Sequence, residues 1–196
     1  MIVFKVINIL FFLAIIIIAS FYLIWSFIAA IQAKWVPYVP SYDEDLKRMK
    51  ETLILKWWKT MIDLWCWDWK ALRFFVKEFW IEKAVWFDFN VPAIIFGKIL
   101  NRIHWLSDKI ELHVWDFTKA KIWGYDYIYI YLLSEYMAKV EDIIFEKMDN
   151  NSAIISNTFK FKNHTPYEIK HNETWRDRIL LYSKDWKLRI NARLKK

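Results

Sequence analysis

Glycine is the residue that this sequence most lacks. The chain of 196 residues contains 2 glycines and 14 tryptophans, whereas glycine usually makes up about 7% of a protein. With only 4 prolines in addition, few residues can form a tight turn or adopt a positive φ at low cost. The composition alone is compatible with an unusually aromatic, membrane-associated protein.

Cysteine and metal-binding patterns are also scarce. The single cysteine, Cys66, excludes an internal disulfide framework and is compatible with a reducing compartment. No histidine lies near Cys66 in the sequence, which favours a small buried residue over a nucleophile. The histidines lack metal-ligand spacing, so we expect no metal site; they are His104, His113, His164 and His171.

The tryptophans occupy positions where glycine is expected. Trp80 and Trp105 follow helix-like segments, where a left-handed residue, usually glycine, ends the helix. Trp186 follows Asp185 between two apolar runs, where Asp-Gly would favour a hairpin. Some bacterial lineages read the codon UGA as glycine and others as tryptophan. Our hypothesis is that most of these tryptophans are glycine in the cell. UGG codons at Trp65, Trp67 and Trp69 would contradict it.

The first segment is a long apolar run. Val6–Ala33 contains no charged residue, which exceeds the ~20 residues needed to span a bilayer. A cleaved signal peptide is the alternative, because Ala29, Ala30 and Ala33 are small. Basic residues are more frequent after the run than before it, which places the rest of the chain in the cytoplasm. We expect a single-pass anchor over residues 1–35 and one domain over residues 36–196.

Strands and helices alternate after the anchor. Ser41 and Glu44 fit a capping box that opens a helix. Alternation from there on predicts an α/β, Rossmann-like, mostly parallel sheet with helices on both faces. Ile179–Tyr182 and Leu188–Ile190 predict a terminal antiparallel hairpin. The five strands predicted before it are Met61–Leu64, Ala84–Phe87, Ile110–Val114, Tyr127–Tyr131 and Ala153–Ser156.

Acidic residues come at the ends of the first three strands. They are Asp63, Asp88 and Asp116. Ligands of open α/β sheets bind beyond the carboxyl ends of the strands. The spacing of Asp63 and Asp88 is near the ~20 residues typical of an acid that binds ribose hydroxyls.

Three motifs carry a resemblance to a known family. With glycine at its tryptophans, the segment from Asp63 to Trp69 resembles the first motif of class I S-adenosylmethionine-dependent methyltransferases. Ala84–Asn90 resembles their second motif, and Val114–Phe117 resembles the motif beside the adenine. The apolar anchor, the VPYVPS segment and Tyr131–Glu135 are most similar to the small membrane-anchored lysine methyltransferases of the ATP synthase c-subunit type.

The resemblance implies a role for each motif. The backbone around Trp65, Cys66, Trp67, Asp68 and Trp69 would approach the methionine part of S-adenosylmethionine. Asp88, followed by Phe89, would accept hydrogen bonds from the ribose hydroxyls. Asp116 would bind the adenine amino group, with Phe117 against the ring.

Tyr131 and Glu135 are the candidate catalytic residues. They would border the transferred methyl group and the acceptor, and either would orient the amine or accept its proton. Glu135 alternatively serves as a first-turn acid of the following helix.

The expected function is membrane-anchored methyl transfer to a protein lysine, with another membrane protein as the expected acceptor. The partners would be the lipid bilayer and this protein acceptor. Interleaved aromatic and basic residues would suit single-stranded nucleic acid, but much of that aromatic content disappears if tryptophan is glycine, so no nucleic acid is expected. Methylation of a lipid or small molecule is one alternative, and a non-catalytic anchored scaffold of the same fold is another.

Overall fold

The computed structural model describes residues 2–32, 41–64, 70–88, 90–114, 119, 121–170 and 178–185. Five helices lie in these ranges: α1 (Ile2–Gln32), α2 (Asp43–Thr52), α3 (Lys70–Glu78), α4 (Val91–Ile103) and α5 (Ser134–Lys147). The strands are β1 (Thr60–Asp63), β2 (Lys83–Asp88), β3 (Ile110–Val114), β4 (Tyr127–Ile130), β5 (Ala153–Asn157), β6 (Glu168–Lys170) and β7 (Ile179–Ser183).

The strands form one seven-stranded sheet in the order β3-β2-β1-β4-β5-β7-β6. β1 to β5 pair in parallel, and β7 is antiparallel to both β5 and β6. The order reverses between β1 and β4, as in doubly wound Rossmann-like sheets. The α/β fold with helices on both faces and an antiparallel terminal pair confirms the predicted fold class.

The two faces of the sheet carry separate hydrophobic clusters. α2, α3 and α4 pack on one face, where Phe75 and Trp86 are fully buried. α5 packs on the opposite face through Met137, Val140 and Ile144. Side chains of successive strand residues alternate between the two clusters, as the period of two of a β-strand requires. The near-continuous apolar runs of the strands thus reflect burial on both faces.

Two local predictions need correction. α2 begins at Asp43 after an N-cap Tyr42 that makes no side-chain capping hydrogen bond, so the capping box predicted from Ser41 and Glu44 is wrong. In the terminal antiparallel pair, β7 lies between β5 and β6. The partner that precedes it, Glu168–Lys170, has no strand prediction in the sequence. The predicted partner Leu188–Ile190 lies outside the described residues.

Tryptophan occupies left-handed backbone positions. Among the described residues, the non-glycine residues with positive φ are Trp58 (56°), Trp80 (54°), Trp105 (56°) and Thr158 (67°). Trp80 follows α3 and Trp105 follows α4, as the sequence predicts for C-terminal glycines. Both side chains are exposed, at 63% and 89%.

Trp105 completes a Schellman motif at the end of α4. The N–H of Leu106 donates to the carbonyl of Asn101 at 2.8 Å, and the N–H of Trp105 donates to the carbonyl of Arg102 at 3.2 Å. This pair of hydrogen bonds requires a left-handed residue at the position of Trp105, which is usually glycine. The backbone here therefore has the conformation of a C-terminal glycine cap, although the residue is a tryptophan.

A buried carboxylate holds the segment after β5. Glu141 of α5 is fully buried and accepts hydrogen bonds from the backbone N–H groups of Lys162, Asn163 and His164 at 2.7–3.0 Å. Nδ1 of His164 lies 2.7 Å from the same carboxylate. Burial acts to raise the pKa of Glu141, but the hydrogen bonds from His164 and the backbone outweigh it, so the pKa is lowered.

We predict that Trp80→Gly and Trp105→Gly each raise the free energy of unfolding. A left-handed residue with a Cβ costs about 1–2 kcal/mol. Glycine loses part of that gain, about 0.5–1 kcal/mol, to unfolded-chain entropy. The expected net gain is thus about 0.5–1 kcal/mol, measured by chemical denaturation in detergent. Trp80→Ala and Trp105→Ala keep the Cβ and serve as controls. Equal stability of the glycine and alanine variants would contradict the prediction.

We predict that Glu141→Gln destabilises the protein by about 2–3 kcal/mol at neutral pH, because the carboxamide keeps only one accepting oxygen and its hydrogen bonds are no longer to a charged group. A lowered carboxylate pKa contributes stability above the unfolded-state value of about 4.3. The difference between wild type and variant should therefore shrink as pH falls through the folded-state pKa. Glu146→Gln, at an exposed position of the same helix, is the control. A difference independent of pH would disprove the role of the carboxylate charge.

Candidate functional site

The carboxyl edge of the parallel strands gathers the described acidic candidates. Asp63 ends β1 and Asp88 ends β2, and these strands are adjacent in the sheet. Neighbouring strands lie about 4.8 Å apart, so the two carboxylates belong to one edge. β1 also neighbours β4, which puts Asp63 at the reversal of strand order where ligands of such sheets bind.

The two acids differ in surroundings. Asp63 is fully buried and lies opposite Tyr129 of β4 in the sheet register. One carboxylate oxygen of Asp88 accepts a hydrogen bond from the N–H of Asn90 at 2.6 Å. The Asn90 side chain in turn accepts from the N–H of Ala93 at 3.1 Å and caps α4. Asp88 is thereby fixed in the turn between β2 and α4.

The eight other predicted cofactor residues lie outside the described residues. They are Trp65, Cys66, Trp67, Asp68, Trp69, Phe89, Asp116 and Phe117. The flanking elements still define where their segments attach. Residues 65–69 connect β1 to α3, and residues 115–118 follow β3. Both connections leave the sheet at the edge that carries Asp63 and Asp88.

Tyr131 follows β4 at the same edge. It is buried and stacks against Phe159 with ring centroids 6.1 Å apart. Burial and the neighbouring Asp45 carboxylate raise the pKa of Tyr131 to about 12. The hydroxyl is therefore protonated at neutral pH, so it is suited to donate a hydrogen bond rather than to accept a proton.

Glu135 lies in the first turn of α5 and is exposed. α5 covers the face of the sheet opposite to α2 and α3, whereas Tyr131 belongs to the cluster on the α2 side. The structure thus places the two catalytic candidates near the end of one strand but in different layers. An acid in a first helical turn also interacts favourably with the helix dipole.

A buried polar cluster at this edge escapes the sequence prediction. Asp45 of α2 is 6% exposed, and Asn157 and Thr158 at the end of β5 are buried too. The side-chain amide of Asn157 donates to Asp45 at 3.3 Å, and Asp45 also pairs with Arg48. Asn157 obeys the same strand-end rule as Asp63. Asp45 lies in a charged run typical of a solvated helix face, so its sequence gives no signal.

Two ion pairs hold α2 beside α3. Lys70 at the start of α3 pairs with Asp43 at 2.7 Å, and Lys50 pairs with Glu78 at the other end at 2.7 Å. The two helices therefore run side by side in the same direction. In this position α2 carries Asp45 to Asn157 at the carboxyl end of β5.

No family model and no curated protein matches the sequence. Among solved structures, an RNA methyltransferase from Salinibacter ruber in complex with S-adenosyl-L-homocysteine has a TM-score of 0.65 at 18% identity, covering 74% of this chain and 93% of that one.

Two further structures show more distant similarity. They are S-adenosylmethionine-dependent methyltransferases from Thiobacillus denitrificans and Geobacter sulfurreducens, both in complex with S-adenosyl-L-homocysteine. Their TM-scores are 0.51 and 0.52 at 11% and 12% identity, and each alignment covers 61% of this chain. The chain spans about half the length of these two proteins, at 50% and 49%. The chain therefore has the Rossmann-like fold that these methyltransferases share.

Proposed function

We propose that the protein is a membrane-anchored methyltransferase that moves a methyl group from S-adenosylmethionine to a lysine amine of another protein. The observation that carries the proposal is the placement of Asp63 and Asp88 at adjacent strand ends beside the strand-order reversal. The structural neighbours crystallised with S-adenosyl-L-homocysteine have the same fold and support this use of the edge.

The described acids fit this cofactor. Carboxylates accept hydrogen bonds from hydroxyl and amino groups, which the ribose and the methionine part of the cofactor both present. Asp88 would accept from the ribose hydroxyls, and Asp63 would lie beneath the methionine part. Asp116, after β3, would bind the adenine amino group, with Phe89 and Phe117 beside the cofactor. S-Adenosylmethionine, when bound, supplies a methyl group that is already activated on a sulfonium.

The chain's own task is then to align a neutral amine in line with that methyl group. Tyr131 would donate its hydroxyl hydrogen to a group at the acceptor end, because its raised pKa of about 12 keeps the proton in place. Glu135, exposed on the first turn of α5, would accept the proton that the lysine ammonium must lose. This division of roles assigns proton acceptance to the carboxylate and orientation to the phenol.

The N-terminal helix supplies the membrane part of the proposal. Its Val3–Ile28 segment is long and apolar enough to span a bilayer. Residues 1–35 would form the anchor and residues 36–196 the methyltransferase domain. The positive-inside bias would place that domain in the cytoplasm. An anchored domain meets lysines that lie near a bilayer surface, which favours a membrane protein as acceptor.

The tryptophan hypothesis belongs to the same proposal. Left-handed φ values at Trp58, Trp80 and Trp105 mean that the fold uses three tryptophans where glycine has the lower cost. The same substitution at Trp65, Trp67 and Trp69 would allow the backbone to approach the cofactor. Indoles at these positions would fill the cleft instead. Sequencing the codons at the 14 tryptophans tests the reading directly.

Our third prediction concerns cofactor binding. A recoded chain with glycine at Trp65, Trp67 and Trp69 should bind S-adenosylmethionine in titration calorimetry, and the literal chain should not. In the recoded chain, Asp88→Asn should weaken binding about 10–100-fold, because hydrogen bonds to a charged acceptor contribute about 1.5–3 kcal/mol. Asp142→Asn, exposed on α5, is the control and should bind like the recoded parent. A recoded chain that does not bind would refute the proposed function.

Our fourth prediction concerns the acceptor. The recoded chain should transfer labelled methyl from S-adenosylmethionine to lysine in a membrane-protein fraction. Lipid, small-molecule and RNA fractions are the other arms, RNA because the neighbour from S. ruber is described as an RNA methyltransferase. Label found in only one of these fractions would mean that the acceptor belongs to that fraction and is not a lysine of a membrane protein. Cofactor binding without label in any fraction would favour the non-catalytic scaffold.

Glu135→Gln in the recoded chain should lower turnover by about 100-fold or more, the range of general acid–base catalysis, with cofactor affinity unchanged. Glu146→Gln, exposed near the other end of α5, is the matched control. Wild-type turnover by Glu135→Gln would remove Glu135 from the mechanism and leave the other assignments in place.

A further inference from the structure

The outward face of α4 is apolar. Of the isoleucines of this helix, only Ile94 is buried. The others lie on the solvent side with one phenylalanine. Their exposed fractions are 47% for Ile95, 53% for Phe96, 50% for Ile99 and 62% for Ile103. Large apolar side chains that are contiguous on one face mark an interaction surface.

The inward face of α4 is already satisfied. Ala93 and Ile94 pack in the cluster under the sheet, and Gly97 and Asn101 are buried on the same side. The four outward residues recur at intervals of one, three and four positions, which places them on one side of the helix. They lie outside the core and leave a large apolar area exposed on the side of α4 away from the sheet.

Basic residues accompany this apolar face. Lys98 and Arg102 are exposed on α4, and the sequence of α4 contains no acidic residue. Both line a groove of about 660 Å³ between α4 and the edge strand β3. Glu111 on the β3 side of the groove is paired with Lys83 at 2.6 Å. An apolar face edged by cations is complementary to an anionic lipid surface.

The N-terminal helix reaches the body of the protein at α4. α1 contacts α4, and Trp25, Ser26 and Ile28 are the partly buried residues among the α1 side chains that the structure describes. The contact therefore lies near the C-terminal end of α1. With 31 residues and a rise of 1.5 Å per residue, α1 is about 46 Å long, against a hydrocarbon core of about 30 Å. A spanning α1 thus brings α4 to the interface.

We propose that the α4 face, formed by Ile95, Phe96, Ile99 and Ile103 with Lys98 and Arg102, docks onto the surface of a bilayer that contains anionic phospholipid. This inference rests on the membrane anchor of the proposed function. The apolar side chains enter the interfacial layer and the two cations meet lipid phosphates. Docking fixes the orientation of the domain about the anchor, so its site faces acceptors held at one height above the membrane.

Site-specific fluorescence tests the docking. The full chain with Cys66→Ala receives one cysteine at Ile16, Ile99 or Ala138, is labelled with an environment-sensitive dye, and is reconstituted in vesicles of phosphatidylcholine and phosphatidylglycerol. Ile16 reports the middle of α1, and Ala138 is exposed on α5, across the sheet from α4. We expect a blue shift and quenching by deep nitroxide lipids at Ile16, a blue shift and quenching by shallow ones at Ile99, and neither at Ala138.

Charge reversal separates the electrostatic part. Lys98→Glu with Arg102→Glu should reduce quenching at Ile99 in anionic vesicles to the level seen in pure phosphatidylcholine. Lys139→Glu with Lys160→Glu, both at exposed positions away from α4, is the charge-matched control and should leave quenching unchanged.

Three outcomes would overturn the docking, and one of them would overturn the anchor as well. Quenching at Ile16 without quenching at Ile99 overturns the docking and leaves the anchor intact. A blue shift at Ile99 without quenching by any nitroxide lipid means that protein, such as a second copy or the acceptor, covers the face, which also overturns it. Absence of quenching at Ile16 overturns the anchor and the docking together. Methyl transfer is not a readout, so its failure is a separate result.

Discussion

The parallel backbone ladder of β1, β2 and β4 is the constraint on which the site depends. Its hydrogen bonds set the register that aligns the carboxyl ends of these strands. Asp63, Asp88 and Tyr131 are far apart in the sequence, and only this register brings them to one edge. Helices on both faces make the arrangement possible, because a parallel sheet must be covered twice. The proposed cofactor site therefore depends on the topology, which sets where these side chains lie.

Burial and charge give the elements at this edge different roles. α2 is held beside α3 by the ion pairs of Lys70 and Lys50 and delivers Asp45 to a buried polar cluster with Asn157. α4 differs, because its inward side packs against the sheet whereas its outward side is apolar and exposed. α2 thus contributes a buried polar group near the carboxyl ends of the strands, whereas α4 contributes an exposed apolar surface.

Left-handed backbone positions bear on the hypothesis that most of the tryptophans are glycine in the cell. At Trp105 the hydrogen bonds around the helix end dictate a positive φ whatever the side chain is, and Trp80 has a positive φ at the end of α3. Because neither indole is buried, no packing energy offsets the strain of the Cβ. Trp86 differs, since it is fully buried in β2. Backbone conformation therefore favours glycine at the two helix ends. At Trp65, Trp67 and Trp69, only the resemblance of the motif favours it.

Sequence periodicity predicted the helices and every strand of the sheet except β6, since apolar runs act over a few neighbours. It also indicated Asp63 and Asp88 as strand-end acids. Tertiary structure decided what depends on residues distant in the chain: the pairing of β7 with β6, the burial of Asp45, the raised pKa of Tyr131 and the separation of Tyr131 from Glu135 into two layers. It also decided which isoleucines of α4 face outward, because helical periodicity identifies a stripe but not the layer that covers it.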